Sequence, residues 1–267
     1  GRDVAVANKE TLVAGGEIVM REARARGARV IPVDSEHAAV AQCLRGEQLA
    51  SVRRVVLTGS GGPFLRRPLH ELAQVTPEEA VAHPTWSMGR KISVDSATMM
   101  NKGFEVIEAH WLFGLEASRI DVVIHPQSVV HALVEFVDGH WKAHLAPPDM
   151  RLVIASALTA PARPSLAAPA LDWQHLQLTF EPPEPARYPC LGLAYAALRA
   201  GGTMPAVLNA ANEVAVERFL AGQIPFTGIA AAAAETMAAH RPVPTPSLDD
   251  ILAADAWARE AVTAVLR

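Results

Sequence analysis

Cysteine is scarce: Cys43 and Cys190 are the only two in 267 residues. So few thiols, so far apart, argue against a disulfide framework or a thiolate zinc site and fit a reducing compartment. No apolar run is long enough to span a bilayer. The alanine run 230–234 is short and reads as helix, and no secretory signal is read in the chain. Positive charge is also in short supply, since the net charge of -4 leaves no footprint for nucleic acid. Arg21, Arg24, Arg26 and Arg29 fall together in one predicted helix and read as a solvated face. Neither an internal repeat, a G-x-G-x-x-G loop nor a Walker pattern occurs.

Hydrophobic residues are plentiful at 50%, and the length suffices for two ordinary domains with cores of their own. Residues 1–60 alternate between strand and helix. Val4 to Ala7 read as a buried strand, 11–26 as a helix ended by Gly27, and Val30 to Val33 as a strand. A helix from 36 to 44 and a strand at 55–57 follow. Such alternation predicts parallel βαβ units. A chain that enters a strand within a few residues of Gly1 is expected to begin inside a domain.

Residues 58–95 read as loop-rich, 96–113 as one helix stopped by Gly114, and 121–125 as a strand. Segments 129–137 and 140–145 flank Asp138-Gly139, a strong hairpin signal. Prolines are dense from Pro147 to Pro189, around one short helix at 149–159. Helices then follow near 190–200, 204–221, 226–240 and 248–266, the last opened by a Ser247/Asp250 capping box. No chemistry is concentrated in them.

Three groups of residues carry chemical potential. Asp34 and Glu36 stand at i and i+2 at a strand end, where two carboxylates on one face need a cation between them. The equally available reading makes Asp34 a helix N-cap and Glu36 a first-turn acid facing water. On a helix, Asn101, Lys102 and Glu105 project from one side, and Ser96 is predicted at the helix start, where an anion is favoured. The bland alternative is a surface Lys-Glu pair, with Met99, Met100 and Phe104 packing a core. Carboxylates without histidine at ligand spacing suit Mg²⁺ or Mn²⁺; His37 reads as a packed side chain. The turn Gly59-Ser60-Gly61-Gly62 follows a strand and offers backbone amides to an anion, a weak signal by itself. His83 to Gly89 places a histidine and Trp86 in a loop, as a lid or as an anchor. His125, His131, His140 and His144 read as structural.

Several of these stretches carry a resemblance. They are Ala7-Asn8-Lys9-Glu10, Pro32 to His37, Gly59 to Phe64, His83 to Lys91 and Ile92 to Glu105. With them go His125-Pro126-Gln127-Ser128, Pro148 to Arg151 and Leu208 to Glu213. In order, and across nearly the whole chain, they are similar to the 1-deoxy-D-xylulose 5-phosphate reductoisomerase family.

The resemblance implies a homodimeric enzyme of non-mevalonate isoprenoid synthesis, cytoplasmic, or in the plastid stroma of a plant or alga. It would convert 1-deoxy-D-xylulose 5-phosphate to 2-C-methyl-D-erythritol 4-phosphate with NADPH and Mg²⁺ or Mn²⁺. Asp34, Glu36 and Glu105 would hold the metal. Lys9, Ser35, Glu36, Ser60, His83, Ser96, Asn101, Lys102 and Glu105 would serve the substrate, with Lys9, Glu36, His83 and Trp86 closest to the chemistry. Asn8, Glu10 and Gly89 would meet NADPH.

The implied fold is mixed α/β and α+β. Residues 1–33 would end an NADPH-binding Rossmann-type domain whose earlier part is missing, so that this stretch alone would not complete the reduction. Residues 34–159 would form an α+β catalytic domain, 160–188 a Pro-rich linker and 189–267 a helical bundle. Two other readings use the same residues: a metal-dependent sugar-phosphate isomerase or aldolase without redox chemistry, and a non-catalytic assembly module.

Overall fold

The computed structural model describes residues 2–83, 86 and 88–266. The chain divides into two compact units, each assembled from three stretches.

The first unit comprises Gly1–Asn8, Met20–Ser60 and Ala109–Pro183. In it, β1 (Val4–Val6) pairs in parallel with β2 (Val30–Pro32), Val4 opposite Val30. The predicted parallel pair is present, but Val4 is 51% exposed, so β1 is not the buried strand its apolar residues suggested. A sheet of two short strands has too little surface of its own to bury them.

The third predicted strand, β3 (Val52–Gly59), does not extend that sheet. It lies inside a four-stranded sheet ordered β4-β3-β5-β6, with β4 at Ile120–Ile124, β5 at Val130–Phe136 and β6 at Trp141–Leu145. β3 runs parallel to β4 and antiparallel to β5, and β5 and β6 form the predicted hairpin, with Gly139 at φ 87. The central position of β3 explains its apolar run: Val55, Val56 and Leu57 are buried from both sides.

Helix α2 (Ser35–Cys43) packs its Ala38, Ala39 and Val40 over β5 and β6, while edge strand β6 keeps Trp141 and Lys142 exposed. Helix α6 (Met150–Thr159) follows the hairpin. Residues 161–183 then run without helix, touching the sheet through a bridge between Ile124 and Glu181.

The second unit comprises Lys9–Val19, Gly61–Glu108 and Glu184–Arg267. The long first helix, α1 (Glu10–Ala25), opens here and bends at Gly15, where φ is -129 and ψ 21. Short α3 (Pro77–Val81) starts on a Thr76/Glu79 capping box.

The single helix expected over 96–113 is two: α4 (Arg90–Thr98) and α5 (Met100–Phe113). They separate at Met99, which takes a left-handed φ of 57 while its side chain stays 2% exposed. Met99 and Met100 are both buried at the break, and the local pattern of helix-formers gave no sign of it.

The C-terminal helices fall close to their predicted bounds: α7 (Pro189–Ala200), α8 (Met204–Leu220), α9 (Phe226–Ala239) and α10 (Leu248–Val265). Ser247 and Asp250 form the predicted capping box. α8 is the centre. Ala206, Ala210, Ala211 and Ala215 are fully buried, and their small side chains let the other helices approach it closely. Phe226 of α9 stacks edge-on against both Phe64 and Phe219, at 5.2 and 5.7 Å between ring centroids.

Candidate active site

In the first unit, Asp34 caps α2: its Oδ1 accepts the Glu36 N–H at 3.2 Å. The strand ends at Pro32, so Asp34 and Glu36 do not share a strand face; they share a helix N-terminus. The N–H groups and the dipole at a helix start favour negative charge nearby. Ser35 Oγ donates to Glu36 Oε2 at 2.6 Å and aims that carboxylate. His37 is fully buried, its Nδ1 3.5 Å from Asp34 Oδ1 and its ring beside Phe113, a packed histidine as expected. Ser60 directly follows the C-terminal end of β3, where parallel strands present their ligands. Asn8 is exposed on the connection between β1 and α1.

In the second unit the decisive group is Glu105, 1% exposed. Its Oε1 accepts from Asn101 Nδ2 at 2.7 Å and from Lys9 Nζ at 3.3 Å, and its Oε2 accepts from Lys102 Nζ at 2.5 Å. Lys9 also stands 3.8 Å from buried Glu108. The i,i+3 and i,i+4 spacings do put Asn101, Lys102 and Glu105 on one side of α5. Burial removes the bland reading, because Lys102 is 4% exposed and makes no surface pair. A carboxylate is kept charged in such an interior by cations and donors around it.

Ser96 is the misplaced residue. It lies in the last turn of α4, where its carbonyl accepts from Met99 N, and not at a helix start. The helix N-terminus belongs to α5, and Asn101 and Lys102 occupy its first turn.

Gly62 of the glycine turn has a packing role that its composition did not show. Gly62, at φ +67, lies so close to α4 that a Cβ would fall 2.9 Å from Ala97 Cα and from the Ser96 carbonyl oxygen. It is glycine for packing. Tyr188 Oη donates to the Gly61 carbonyl at 2.8 Å, and Arg187 donates to the carbonyls of Phe64 and Arg67 at 2.9 and 2.5 Å, which fixes this turn from the C-terminal part.

His83 is half-buried, and burial lowers its pKa from the ordinary 6.5. Its Nδ1 accepts the Trp86 N–H at 2.9 Å, which leaves the ring proton on Nε2, a neutral donor for an oxygen. Trp86 is itself half-buried; Pro84, Thr85 and Ser87 of that segment lie outside the described residues.

Gly89 is the N-cap of α4. Two residues on, Lys91 Nζ lies 3.2 Å from Glu10 Oε1 and 2.9 Å from Asp95 Oδ2, so the first turns of α1 and α4 meet at one ammonium group. Burial works against charge on Lys91, yet Asp95 and Glu10 together raise its pKa. Burial also dominates at Asp95 and raises its pKa against the pull of Lys91 and of Asn212, whose Nδ2 donates at 2.8 Å. Lys91, Asp95 and Asn212 lie in stretches that carry the resemblance, but nothing in the sequence assigned them a role of their own. The i,i+4 spacing of Lys91 and Asp95 was the available signal, and nothing local marks Asn212.

The four remaining histidines read as structural stay so where their contacts are clear. His125 Nε2, for example, accepts from the backbone of Val129 and Val130.

Residues 30–113 match the 1-deoxy-D-xylulose 5-phosphate reductoisomerase C-terminal domain, and residues 145–261 match the DXP reductoisomerase C-terminal domain. The 1-deoxy-D-xylulose 5-phosphate reductoisomerase of Pelotomaculum thermopropionicum is 55% identical over 268 residues, spanning 100% of this chain and 69% of that protein. Its counterpart from Geobacter metallireducens is 56% identical, over 97% of this chain and 68% of its own length. Among solved structures, the Zymomonas mobilis reductoisomerase in complex with NADPH superposes with a TM-score of 0.93 at 44% identity, covering 99% of this chain and 69% of that one. A DOX-P reductoisomerase in complex with NADPH, fosmidomycin and magnesium superposes with a TM-score of 0.91 at 42% identity, covering 99% and 70%. The mixed α/β fold agrees with these neighbours, and the chain belongs to the 1-deoxy-D-xylulose 5-phosphate reductoisomerase family.

Proposed function

We propose that this chain supplies the metal- and substrate-binding machinery of an enzyme that converts 1-deoxy-D-xylulose 5-phosphate to 2-C-methyl-D-erythritol 4-phosphate with NADPH and Mg²⁺ or Mn²⁺. The observation that carries the reading is Glu105: a buried carboxylate ringed by Lys9, Asn101 and Lys102, in a chain of this family. Asp34, Glu36 and Glu105 are the proposed metal ligands. An all-carboxylate donor set fits a hard divalent ion, and the start of α2 fixes Asp34 through the Glu36 N–H.

A divalent ion bound there supplies Lewis-acid polarisation of the sugar oxygens, and NADPH supplies the hydride that no side chain can give. The chain's own residues do the rest. Lys9 and Glu36 address the sugar oxygens, and Ser35 orients Glu36. His83 donates from Nε2. Asn101 and Lys102, in the first turn of α5, offer charge and N–H groups to the phosphate, together with Ser60, Ser96 and Ser35. Asn8, Glu10 and Gly89 meet the nucleotide, and Lys91 already gathers Glu10 and the Gly89 end of α4. Trp86 covers the site and excludes water.

The non-redox isomerase or aldolase is disfavoured, because relatives and neighbours alike are reductoisomerases and two of the neighbours are NADPH complexes. We also place the enzyme in the cytoplasm as a homodimer; two buried, unbridged cysteines support the reducing compartment. No helix among the described residues is long and apolar enough to cross a membrane.

The test is loss of NADPH absorbance when 1-deoxy-D-xylulose 5-phosphate is added to the protein as its gene encodes it, with Mn²⁺. Consumption of the ketose phosphate without oxidation of NADPH would restore the non-redox reading. Sedimentation at equilibrium decides the dimer.

A further inference from the structure

The acid Asp95 is 2% exposed and has no role in the chemistry above. Both its oxygens are engaged: Oδ1 accepts from Asn212 Nδ2 at 2.8 Å, and Oδ2 lies 2.9 Å from Lys91 Nζ. Lys91 in turn reaches Glu10 Oε1 at 3.2 Å, with its ammonium 5.2 Å from the Phe104 ring centroid. Four helices thus converge on one line of contacts: α8 through Asn212, α4 through Asp95 and Lys91, α1 through Glu10 and α5 through Phe104.

The two ends of this line differ. Glu10 and Lys91 are partly exposed, at 38% and 32% of their side-chain surface, and a half-exposed Lys-Glu pair alone is too weak to hold either side chain in one place. Asp95 is interior and gripped from both sides, so it is the fixed point to which the Glu10–Lys91 pair is tied. Asn212 is fully buried, and its Oδ1 has no hydrogen-bond partner among the described residues. Its Nδ2 is therefore the group that sets the Asp95 carboxylate.

We propose that Asp95, held by Asn212 and acting through Lys91, is a positioning residue that fixes Glu10 for the nicotinamide nucleotide. This rests on the reading of Glu10 as a nucleotide contact. It makes the C-terminal helices, which carry no residue of the reaction, a determinant of cofactor affinity.

The experiment measures NADPH dissociation constants by fluorescence titration of the full-length enzyme, with Mn²⁺ affinity measured by calorimetry on the same samples. Losing a charge-assisted contact in the relay is expected to weaken NADPH about tenfold in Asp95→Asn. Mn²⁺ affinity should be unchanged, and Asp95→Asn should cost nothing further in a Glu10→Gln background. Lys91→Met, at a more exposed site, reports the same loss if Asp95→Asn does not fold, and Lys91→Arg should restore most of it. Equal losses of NADPH and Mn²⁺ affinity, or additive effects of Glu10→Gln and Lys91→Met, would overturn the relay. A harmful Glu10→Gln beside a harmless Lys91→Met would remove the positioning role alone. An inert Glu10→Gln would remove the nucleotide reading of Glu10 and the relay with it.

Discussion

Lys9 Nζ lies 3.3 Å from Glu105 Oε1, although the two residues are 96 positions apart. Both side chains are nearly excluded from water, at 10% and 1% exposure, so this pair differs in kind from the surface pair of Arg26 and Glu22 at the end of α1. Glu105→Gln removes the charge that Lys9 and Lys102 share. Mn²⁺ affinity is expected to fall at least tenfold, about 1.4 kcal/mol. Breaking a buried pair also costs stability, so calorimetry belongs at a temperature where circular dichroism shows the variant folded. Unchanged binding would take Glu105 out of the metal set.

Gly103 of α5 faces α7, and a Cβ there would come 2.5 Å from Ala194 Cβ. Helix propensity favours alanine by about 1 kcal/mol. Overpacking opposes it by about 1–3 kcal/mol, and Ala194 has no flexible end to move aside. Gly103→Ala is therefore expected to lower the urea midpoint. A raised midpoint would show that the two helices separate freely.

Trp86 touches His83 through its backbone N–H, a contact that survives loss of the indole. For Trp86→Ala we expect turnover to drop by about tenfold or more, through lost closure and alignment, with little change in melting temperature. A large drop in melting temperature would make the indole a core anchor.

His144 titrates low, at about 4 against an ordinary 6.5, because burial disfavours its charged form and His131 beside it adds to the effect. Gln42 Nε2 donates to its Nε2 at 3.0 Å, a bond that requires the neutral ring. Folded His144 binds its proton less readily than unfolded His144. Its contribution is thus complete above pH 6.5 and is lost as the pH falls towards 4. Denaturant midpoints of the wild type should fall across that window, and those of His144→Gln should fall less. Parallel curves would exonerate His144.

Local pattern was enough for much of this molecule. The β5–β6 hairpin follows from Asp138-Gly139, and the four C-terminal helices from glycines, prolines and a capping box, since these signals act within one turn of chain. The same locality made Asn101, Lys102 and Glu105 readable as one face of a helix. It misplaced Ser96, because the left-handed turn at Met99 ends one helix at Thr98 and opens another at Met100. Of the two readings of Asp34 and Glu36, a strand end or a helix cap with a first-turn acid, the structure takes the second, since β2 ends at Pro32 and α2 starts at Ser35.

The sequence by itself determined most of the helices and strands and the family, because residue type and spacing carry those. Only the tertiary structure decided that β3 leaves the first pair of strands for the middle of a second sheet. It alone also decided that Lys102 and Glu105 are interior, and that Asn212 reaches Asp95. Each of these is a meeting of residues far apart along the chain. Which distant surfaces meet is set by the packing of whole elements, and no local spacing records it.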